Sequence, residues 1–279
     1  MTRLDGIHLH PVKSTAVRRV LHADVEPWGL RSDRRWMVVD ATGECVTARE
    51  EHALLSVTAD TPATDAALDG DLRLQAPGLP PLHVDVPRGD ALPVTVHGRG
   101  LDAVVAPPAA GRWFGEVLGR DDLRLVHVYR PRPLNRAHAR PGDATAFADA
   151  YPVTLASTAS LRRLNDWVAE TARDRGEEPR GPLAVERFRP NLIVDGDLDP
   201  FEEDRWRRVH VGPVTFRVVK PVDRCVMTTI EPNTLERGHE PIRTLARHRK
   251  WGGATWFALQ LVPESRGVVR VGDDVTPDR

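Results

Sequence analysis

The residues most able to do chemistry lie in one stretch, residues 219–232, which contains Cys225, one of the two cysteines of the chain. The run that begins at Cys225 is rich in β-branched residues and follows a proline-bounded turn with Asp223 and Arg224, so a strand is predicted from Cys225 to Ile230. A thiolate here could act as a nucleophile or ligate a soft metal such as molybdenum, copper(I) or zinc. The alternative is a small buried apolar side chain.

Basic and hydroxyl side chains follow several predicted strands of the first half of the chain. Lys13 and Ser14 come directly after a strand at residues 7–10, and several arginines, Arg34 among them, flank a predicted β-hairpin at residues 35–48. An ammonium, a hydroxyl and guanidinium groups can together bind a phosphate. An exposed turn with a solvated lysine, and arginines paired with nearby carboxylates, would explain the same residues.

The second half of the chain contains two further candidate anion sites. Ser157 or Thr158 is predicted to cap a helix that directly follows a strand, and a helix N-terminus offers backbone N–H groups and a positive dipole end. Arg189 and Asn191 are predicted to project from one face of a central strand, where they could bind an anion and the edge of a heterocycle. An ordinary capped helix and a structural Arg–Asn pair are the alternatives.

Composition excludes several classes of protein. The 279 residues are enough for one large or two modest domains, and a net charge of −1 does not suit a general nucleic-acid binder. Two cysteines cannot build a disulfide framework, and no segment resembles a signal peptide or reaches the length of an apolar membrane span. We therefore expect a cytoplasmic protein that has neither nucleic acid nor a membrane as a partner.

The pattern of turns and short apolar runs predicts a protein made mainly of β-strands. Prolines and glycines are spread along the whole chain, as is typical of many short strands joined by turns. A helix carrying Trp113 and Phe114 is predicted to end at Gly119, with its aromatic side chains in the core. Regularly spaced strands, indicating an antiparallel barrel or sandwich, are predicted at residues 54–58, 72–75, 82–86, 92–97 and 101–105.

Taken in order, a set of short motifs resembles the MOSC family, in particular the group that includes the mitochondrial amidoxime-reducing component and its bacterial relatives. The resemblance implies a mainly β fold with a few helices (α+β). It implies an N-terminal MOSC β-barrel domain at residues 1–120, a MOSC β-barrel domain at residues 121–279, and a cofactor held between them. The motifs are Pro11-Val12-Lys13-Ser14, Asp33-Arg34-Arg35-Trp36, Val46-Thr47-Ala48-Arg49, Phe188-Arg189-Pro190-Asn191, Glu203-Asp204-Arg205-Trp206, Arg224-Cys225 with Thr228-Thr229 and Glu231-Pro232, Glu240-Pro241-Ile242-Arg243-Thr244-Leu245 and Val271-Gly272-Asp273.

The resemblance also implies a cofactor and the residues that bind it. The cofactor is the molybdenum cofactor (Mo-molybdopterin), and Cys225 matches the thiolate that ligates the metal. Lys13, Ser14 and Arg34 match residues that hold the phosphate and pterin. The matching contacts from the MOSC domain are Ser157, Thr158, Arg189 and Asn191.

The activity that the resemblance implies is the reduction of small N-hydroxylated compounds by oxygen-atom removal. The chain has no four-cysteine cluster, dinucleotide fingerprint or haem motif, so we expect no iron–sulfur cluster and a separate electron donor of the ferredoxin or flavoprotein reductase type. The step needs protons, which Asp199, Asp197 or Asp223 could supply. Asp223 is a departure, because close relatives often carry a small hydroxyl residue there.

Two other functions are compatible with parts of the chain. A MOSC domain also ends sulfurases that use pyridoxal phosphate, so the alternative is a molybdenum-cofactor carrier or sulfur-transfer protein without redox turnover of its own. No Schiff-base lysine is recognisable, and pyridoxal phosphate is not expected. A hydrolase that pairs Cys225 with a histidine is a third reading, although no motif joins any of the 11 histidines to it. Cys45, in the middle of a predicted strand, is expected to be structural.

Overall fold

The structure is a computed structural model that describes residues 1–134, 137–178 and 181–279. The described chain is mainly β-strand, with three α-helices, which confirms the predicted fold class. The helices are α1 (Pro108–Leu118), α2 (Thr158–Asp174) and α3 (Ile242–His248). The strands are β1 (Arg3–Leu9), β2 (Arg18–Val20), β3 (His22–Glu26), β4 (Gly29–Leu30), β5 (Trp36–Val39), β6 (Thr58–Asp60), β7 (Leu72–Gln75), β8 (Leu82–Val84), β9 (Leu92–Val96), β10 (Arg99–Val105), β11 (Arg124–Val128), β12 (Arg132–Pro133), β13 (Ala144–Thr145), β14 (Val153–Ser157), β15 (Leu192–Asp195), β16 (Arg208–Val211), β17 (Val214–Asp223), β18 (Lys250–Trp251), β19 (Ala254–Pro263), β20 (Gly267–Arg270) and β21 (Val275–Asp278).

The described chain forms two compact units that are not continuous in sequence. The N-terminal unit comprises residues 9–20 and 28–152, and the C-terminal unit comprises residues 1–8, 21–27 and 153–279. The first strand of the chain pairs with β15, which is why residues 1–8 belong with the later part of the sequence. The expected division into sequence domains at residues 1–120 and 121–279 stays a prediction.

The N-terminal unit contains an antiparallel sheet with the strand order β5-β11-β10-β9 and a smaller sheet with the order β6-β7-β8. Met37, Val126 and Phe147 are fully buried in its core. The predicted helix is confirmed as α1, whose last turn ends because Gly119 adopts a left-handed φ of 68°. The strand predicted at residues 54–58 is wrong over most of its length, because His52–Ser56 forms a 3₁₀ turn before β6 begins.

The C-terminal unit contains a sheet in which the strands follow the order β1-β15-β14-β19-β17-β16-β21. β14 and β15 are parallel, and a parallel pair needs a crossover connection, which α2 supplies. α2 buries Leu164, Val168 and Ala172, which recur every four residues along one face of the helix. β17 pairs along β19 as far as Asp223, so the long central strand ends immediately before the candidate cysteine.

None of the helices in the described part of the chain combines the length and the apolar character that crossing a membrane requires.

Candidate functional site

Cys225 lies in a turn rather than in a strand. β17 ends two residues earlier, and Cys225 caps a 3₁₀ turn at Val226–Thr229, so the strand predicted at residues 225–230 is wrong. The two threonines explain the difference. The Thr228 hydroxyl donates to the Cys225 carbonyl at 3.0 Å and the Thr229 hydroxyl donates to the next carbonyl at 2.7 Å. Such local bonds compete with strand pairing and favour a turn.

The two cysteines of the chain have opposite environments. Cys225 is exposed, so its sulfur can meet a metal or a small molecule from solution. Cys45 is buried in the core of the N-terminal unit, as predicted, and burial raises the pKa of its thiol. The alternative that Cys225 is a buried apolar side chain is therefore wrong.

Arg224, the residue before the cysteine, is a fixed cation. Its Nε donates to the Phe257 carbonyl at 2.8 Å and its Nη1 donates to the Phe188 carbonyl at 2.9 Å. The buried Nη2 has no hydrogen-bond partner among the described residues. Burial lowers the pKa of Arg224 to about 9, while the neighbouring Cys225 and Asp223 oppose that shift. A positive charge is therefore held beside the thiol.

A second arginine connects the cysteine turn to a neighbouring 3₁₀ turn at Val185–Phe188. Arg187 donates to the carboxylate of Glu231 and, at 3.4 Å, to the Thr228 carbonyl. The Arg187 side chain is only 12% exposed, so water screens the ion pair weakly. This pair fixes the position of the turn that follows Cys225.

The N-terminus of α2 is confirmed where the sequence placed it, with Ser157 as the N-cap. Ser157 is fully buried, makes no side-chain capping bond, and its Oγ has no hydrogen-bond partner among the described residues. The Thr158 hydroxyl donates to the carboxylate of Asp195, and that bond holds the pKa of Asp195 below its usual value. The 17-residue helix thus starts beside a buried hydroxyl that the described part of the chain leaves without a hydrogen bond.

Arg189 and Asn191 do not project from one strand face, so that prediction is wrong. Arg189 adopts a left-handed φ of 50° at the end of its 3₁₀ turn, and β15 begins only after Asn191. The Asn191 amide donates to the His8 carbonyl at 3.1 Å and accepts from the Thr154 N–H at 3.1 Å. These bonds give Asn191 a structural role, while contact of either residue with a cofactor stays a prediction.

The carboxylates considered as proton donors lie on exposed parts of the C-terminal unit. Asp223 ends β17 opposite Trp256 of β19, and Asp199 lies in the loop after β15, where its N–H donates to Glu202 at 3.1 Å. Asp197 lies in the same loop and is also exposed. A catalytic role for Asp199 or Asp223 stays a prediction.

In the N-terminal unit, Lys13 is not the solvated lysine of an exposed turn. It is 5% exposed, and its ammonium donates to the Phe147 carbonyl at 2.8 Å and to the carboxylate of Asp149. Burial lowers the pKa of Lys13, although Asp149 favours its charged form. Lys13 is therefore a buried and paired ammonium, and its contact with a cofactor stays a prediction.

Asp149 also contacts two other basic side chains. Arg49 Nη2 lies 2.6 Å from one carboxylate oxygen and His97 Nε2 lies 3.2 Å from the other. Partial removal from water favours the neutral acid, but Lys13, His97 and Arg49 together hold the pKa of Asp149 well below its usual value. We call these four residues, Lys13, Arg49, His97 and Asp149, the Asp149 cluster.

Ser14 and Arg34 are both held in strained backbone conformations beside buried groups. Ser14 is buried with a φ of 70°, and Arg34 has a φ of 50°. Arg34 donates to the carboxylate of Asp33, which is the arrangement of arginine and neighbouring acid that the sequence offered as an alternative. Burial opposes ionisation of Asp33, but Arg34 and His10 hold its pKa well below the usual range. Backbone strain of this kind is concentrated at functional sites in proteins.

The structure thus yields two groups of candidate residues, one in each unit. The Lys13–Ser14 turn and Arg34 belong to the N-terminal unit, and Cys225 belongs to the C-terminal unit with the α2 N-terminus. Sequence reasoning missed Asp149 and the Arg187–Glu231 pair, and it gave Arg224 no role of its own. The only sequence signal that could have identified Arg224 was its position beside the cysteine. No sequence signal marked Asp149.

Comparison with known proteins assigns the family. The family model of the MOSC N-terminal beta barrel domain matches residues 1–121, and that of the MOSC domain matches residues 142–276. The chain belongs to the MOSC family. The resemblance drawn from the short motifs is therefore confirmed.

Individual relatives differ in how much of their own length the match covers. Mitochondrial amidoxime-reducing component 1 of Homo sapiens is 30% identical over 293 residues, which cover 96% of this chain and 80% of the relative. Molybdenum cofactor sulfurase of Anopheles gambiae is 30% identical over 272 residues, which cover 93% of this chain and 34% of the relative. A crystal structure of the YuaD protein from Bacillus subtilis covers 99% of this chain and 94% of its own, with 12% identity and a TM-score of 0.41, and that likeness carries no conclusion.

Proposed function

We propose that this MOSC protein binds a molybdenum cofactor through Cys225 and reduces N-hydroxylated compounds. The observation that carries the proposal is the exposed Cys225 thiol, held beside the fixed cation of Arg224. Thiolate is a ligand type that molybdenum favours. Similarity to a protein named for amidoxime reduction supports the reaction class.

The described residues suit such a cofactor, which carries a phosphate and a pterin. The buried Ser157 Oγ and the buried Arg224 Nη2 are polar atoms that the protein leaves without hydrogen-bond partners among the described residues. Buried polar groups of this kind are normally paired, so a bound group that accepts and donates hydrogen bonds would satisfy them. Lys13, Ser14, Arg34, Ser157, Thr158, Arg189 and Asn191 would bind the phosphate and pterin.

A molybdenum held in this way needs one protein ligand. Among residues 1–134, 137–178 and 181–279, no three His, Cys, Asp or Glu side chains converge as a metal-ligand group. The cofactor supplies two-electron transfer coupled to the loss of an oxygen atom. Cys225 would hold the metal, and Arg224 would balance the negative charge of the thiolate.

The reaction consumes two electrons and two protons, because the N–O bond breaks, the leaving hydroxyl takes up one proton to become water, and the nitrogen gains the other proton. Asp223 and Asp199 would deliver the protons, since both carboxyl groups are exposed and can exchange protons with water. The electrons would come from a separate donor protein of the ferredoxin or flavoprotein reductase type. The substrate would be a small molecule with an N-hydroxyl group.

The similarity to a molybdenum cofactor sulfurase favours a second function, that of a cofactor carrier or sulfur-transfer protein. The chain matches only 34% of that relative, so the remaining part of the sulfurase has no counterpart in the match. A carrier would bind the same cofactor through Cys225 but would not turn over a substrate. Cofactor binding alone therefore does not distinguish the two functions.

The test combines metal analysis with turnover. The purified protein is expected to contain molybdenum and an extractable pterin, and to reduce an N-hydroxylated amidine when supplied with a reduced viologen dye. Cys225→Ser should lose both metal and turnover, whereas Cys45→Ser, which changes the buried thiol, should retain both. Molybdenum without turnover would favour the carrier, and full metal content in Cys225→Ser would refute the assignment of the ligand.

A further inference from the structure

We propose that Lys13, Arg49 and His97 form a phosphate-binding site that the carboxylate of Asp149 occupies when no phosphate is bound. The three basic residues come from separate turns of the N-terminal unit: the turn after β1, the turn after Thr47, and the hairpin between β9 and β10. Asp149 brings a fourth segment, the loop before β14. Arg49, His97 and the competing carboxylate of Asp149 are not among the residues proposed above to bind the cofactor.

The contacts that the Asp149 carboxylate makes resemble those of a bound anion. One carboxylate oxygen of Asp149 receives the Lys13 ammonium and lies 3.2 Å from His97 Nε2, while the other receives Arg49 Nη2 at 2.6 Å. Three basic groups therefore converge on a single planar anion from different directions. This is the pattern of charge-assisted bonds that proteins use for phosphate.

The geometry of His97 favours an anion at this place. Its Nε2 lies 3.0 Å from Arg49 Nη1 and 3.2 Å from the carboxylate oxygen. A guanidinium only donates and a carboxylate only accepts, so Nε2 can bond to one of the two at a time. With a hydrogen on Nε2 the ring donates to the carboxylate, and the same tautomer would donate to a phosphate oxygen in its place.

The balance of charge identifies the class of ligand. Lys13 and Arg49 contribute two positive charges, and Asp149 contributes one negative charge. A phosphate monoester dianion would neutralise both cations and has more acceptor oxygens than a carboxylate. The site is therefore better matched to a phosphate than to the acid that occupies it.

The exposure of the side chains shows how exchange would occur. The Lys13 side chain is 6% exposed, whereas that of Asp149 is 42% exposed. The lysine lies at the buried end of the cluster, and the carboxylate faces solvent, where water can solvate it once it turns away. Displacing Asp149 therefore does not require burial of an unpaired carboxylate, and the arriving phosphate replaces it on Lys13.

This inference deepens the proposed function and rests on it only where the phosphate is taken to be that of the cofactor. Free phosphate and the phosphate of a bound pterin share the same chemistry. Affinity of the cofactor-free full chain for inorganic phosphate tests the site without any molybdenum. Failure of the cofactor proposal would therefore leave this result intact, and the reverse also holds.

The experiment is calorimetric titration of inorganic phosphate into the cofactor-free full-length protein at constant ionic strength. Asp149→Asn is expected to bind phosphate at least about tenfold more tightly than the unmodified chain, because the competing negative charge is gone. Asp102→Asn is the matched control, since Asp102 pairs with Arg130 at 3.3 Å in the same unit. The control should bind phosphate as the unmodified chain does.

A second pair of variants keeps the test valid if Asp149→Asn does not fold. Arg49→Gln leaves the Lys13–Asp149 pair in place and should weaken phosphate binding several-fold, whereas Arg130→Gln should not change it. The proposal is overturned if Asp149→Asn folds and gains no affinity over the Asp102→Asn control, or if Arg49→Gln binds as tightly as Arg130→Gln.

A titration of the cofactor-loaded protein identifies the source of the phosphate. If the cofactor's own phosphate occupies the site, the loaded protein will not bind inorganic phosphate, while the cofactor-free protein will. If the loaded protein binds inorganic phosphate with the same affinity, the site takes free phosphate. Both results support a phosphate site, whereas absence of phosphate binding to every folded variant overturns it.

Discussion

Arg224 and Phe188 are joined by a hydrogen bond in which the guanidinium Nη1 donates to the backbone carbonyl at 2.9 Å. The same guanidinium donates through Nε to the Phe257 carbonyl at 2.8 Å. One side chain therefore ties the end of β17 to a 3₁₀ turn and to β19. The residue that precedes the candidate metal ligand is also the one that positions its surroundings.

Arg224→Lys should destabilise the protein and reduce its cofactor content. A lysine keeps the charge but cannot donate to both carbonyls in the fixed geometry of a guanidinium, so a buried carbonyl is left unsatisfied at a cost of about 1–3 kcal/mol. The free energy of unfolding in urea and the molybdenum content of the purified protein are the measurements. Arg247→Lys, at an exposed arginine paired with exposed Asp174, is the control and should change neither. Equal values for the two variants would contradict a positioning role.

Two serines near the start of α2 allow a sharper comparison. The buried Ser157 Oγ has no partner among the described residues, whereas the buried Ser160 Oγ donates to Glu203 at 2.6 Å and accepts from the Phe201 N–H at 2.7 Å. Ser157→Ala should leave the stability of the cofactor-free protein within about 0.5 kcal/mol and lower cofactor retention. Ser160→Ala should cost about 1–3 kcal/mol in the cofactor-free protein.

The measurements for the serine pair are urea unfolding of cofactor-free protein and pterin retained after dialysis of loaded protein. Ser157→Ala is expected to lower pterin retention and leave stability nearly unchanged, whereas Ser160→Ala is expected to lower stability. A Ser157→Ala variant that is as unstable as Ser160→Ala would show that the hydroxyl supports the fold. Unchanged retention in Ser157→Ala would remove this residue from the cofactor site.

The two thiols should react differently with iodoacetamide. In folded cofactor-free protein, Cys225 should be modified and Cys45 should not, because Cys225 is exposed and Cys45 lies in the core. Molybdenum loading should protect Cys225. Peptide mass spectrometry at increasing reaction times measures both sites, and unfolded protein, in which both react, is the control. Equal modification of Cys225 with and without molybdenum would contradict its role as the ligand.

The sequence predicted correctly those structural features that neighbouring residues determine. The start of α2 after Ser157 was predicted correctly, because the sequence signal for the change from strand to helix lies in neighbouring residues. Cys225 was placed in a strand because β-branched residues follow it. The two threonines instead bond back to nearby carbonyls and close a turn, and residue types alone do not distinguish these outcomes.

The parts of the candidate site that the sequence could not predict depend on distant partners. Asp149 bonds to Arg49, 100 residues away, and to Lys13, 136 residues away, so no local pattern marks it. Arg187 and Glu231 are 44 residues apart and belong to different turns. Arg187 lies before β15 and Glu231 lies after β17, and both strands belong to one sheet although they are separated in the sequence.

The carboxyl group of Glu203 provides a pH-dependent contribution to stability. It is 1% exposed, its Oε1 accepts the bond from Ser160, and its Oε2 has no hydrogen-bond partner among the described residues. Burial raises the pKa of Glu203 to about 7, and the bond from Ser160 opposes that shift. The neutral acid is therefore the form that the folded protein favours near neutral pH.

Stability should fall as the pH rises from about 4.5 to about 7, because in this window the unfolded chain has lost the Glu203 proton while the folded chain retains it. The loss should approach about 3 kcal/mol above pH 7. Glu203→Gln, which cannot ionise, should remove this component, so that its free energy of unfolding exceeds that of the unmodified chain at pH 8 by more than at pH 5. Urea unfolding at the two pH values measures the difference. Glu170→Gln is the control, because Glu170 lies on α2 with its side chain 45% exposed. A pH dependence in Glu203→Gln equal to that of Glu170→Gln would show that the buried acid does not titrate in this range.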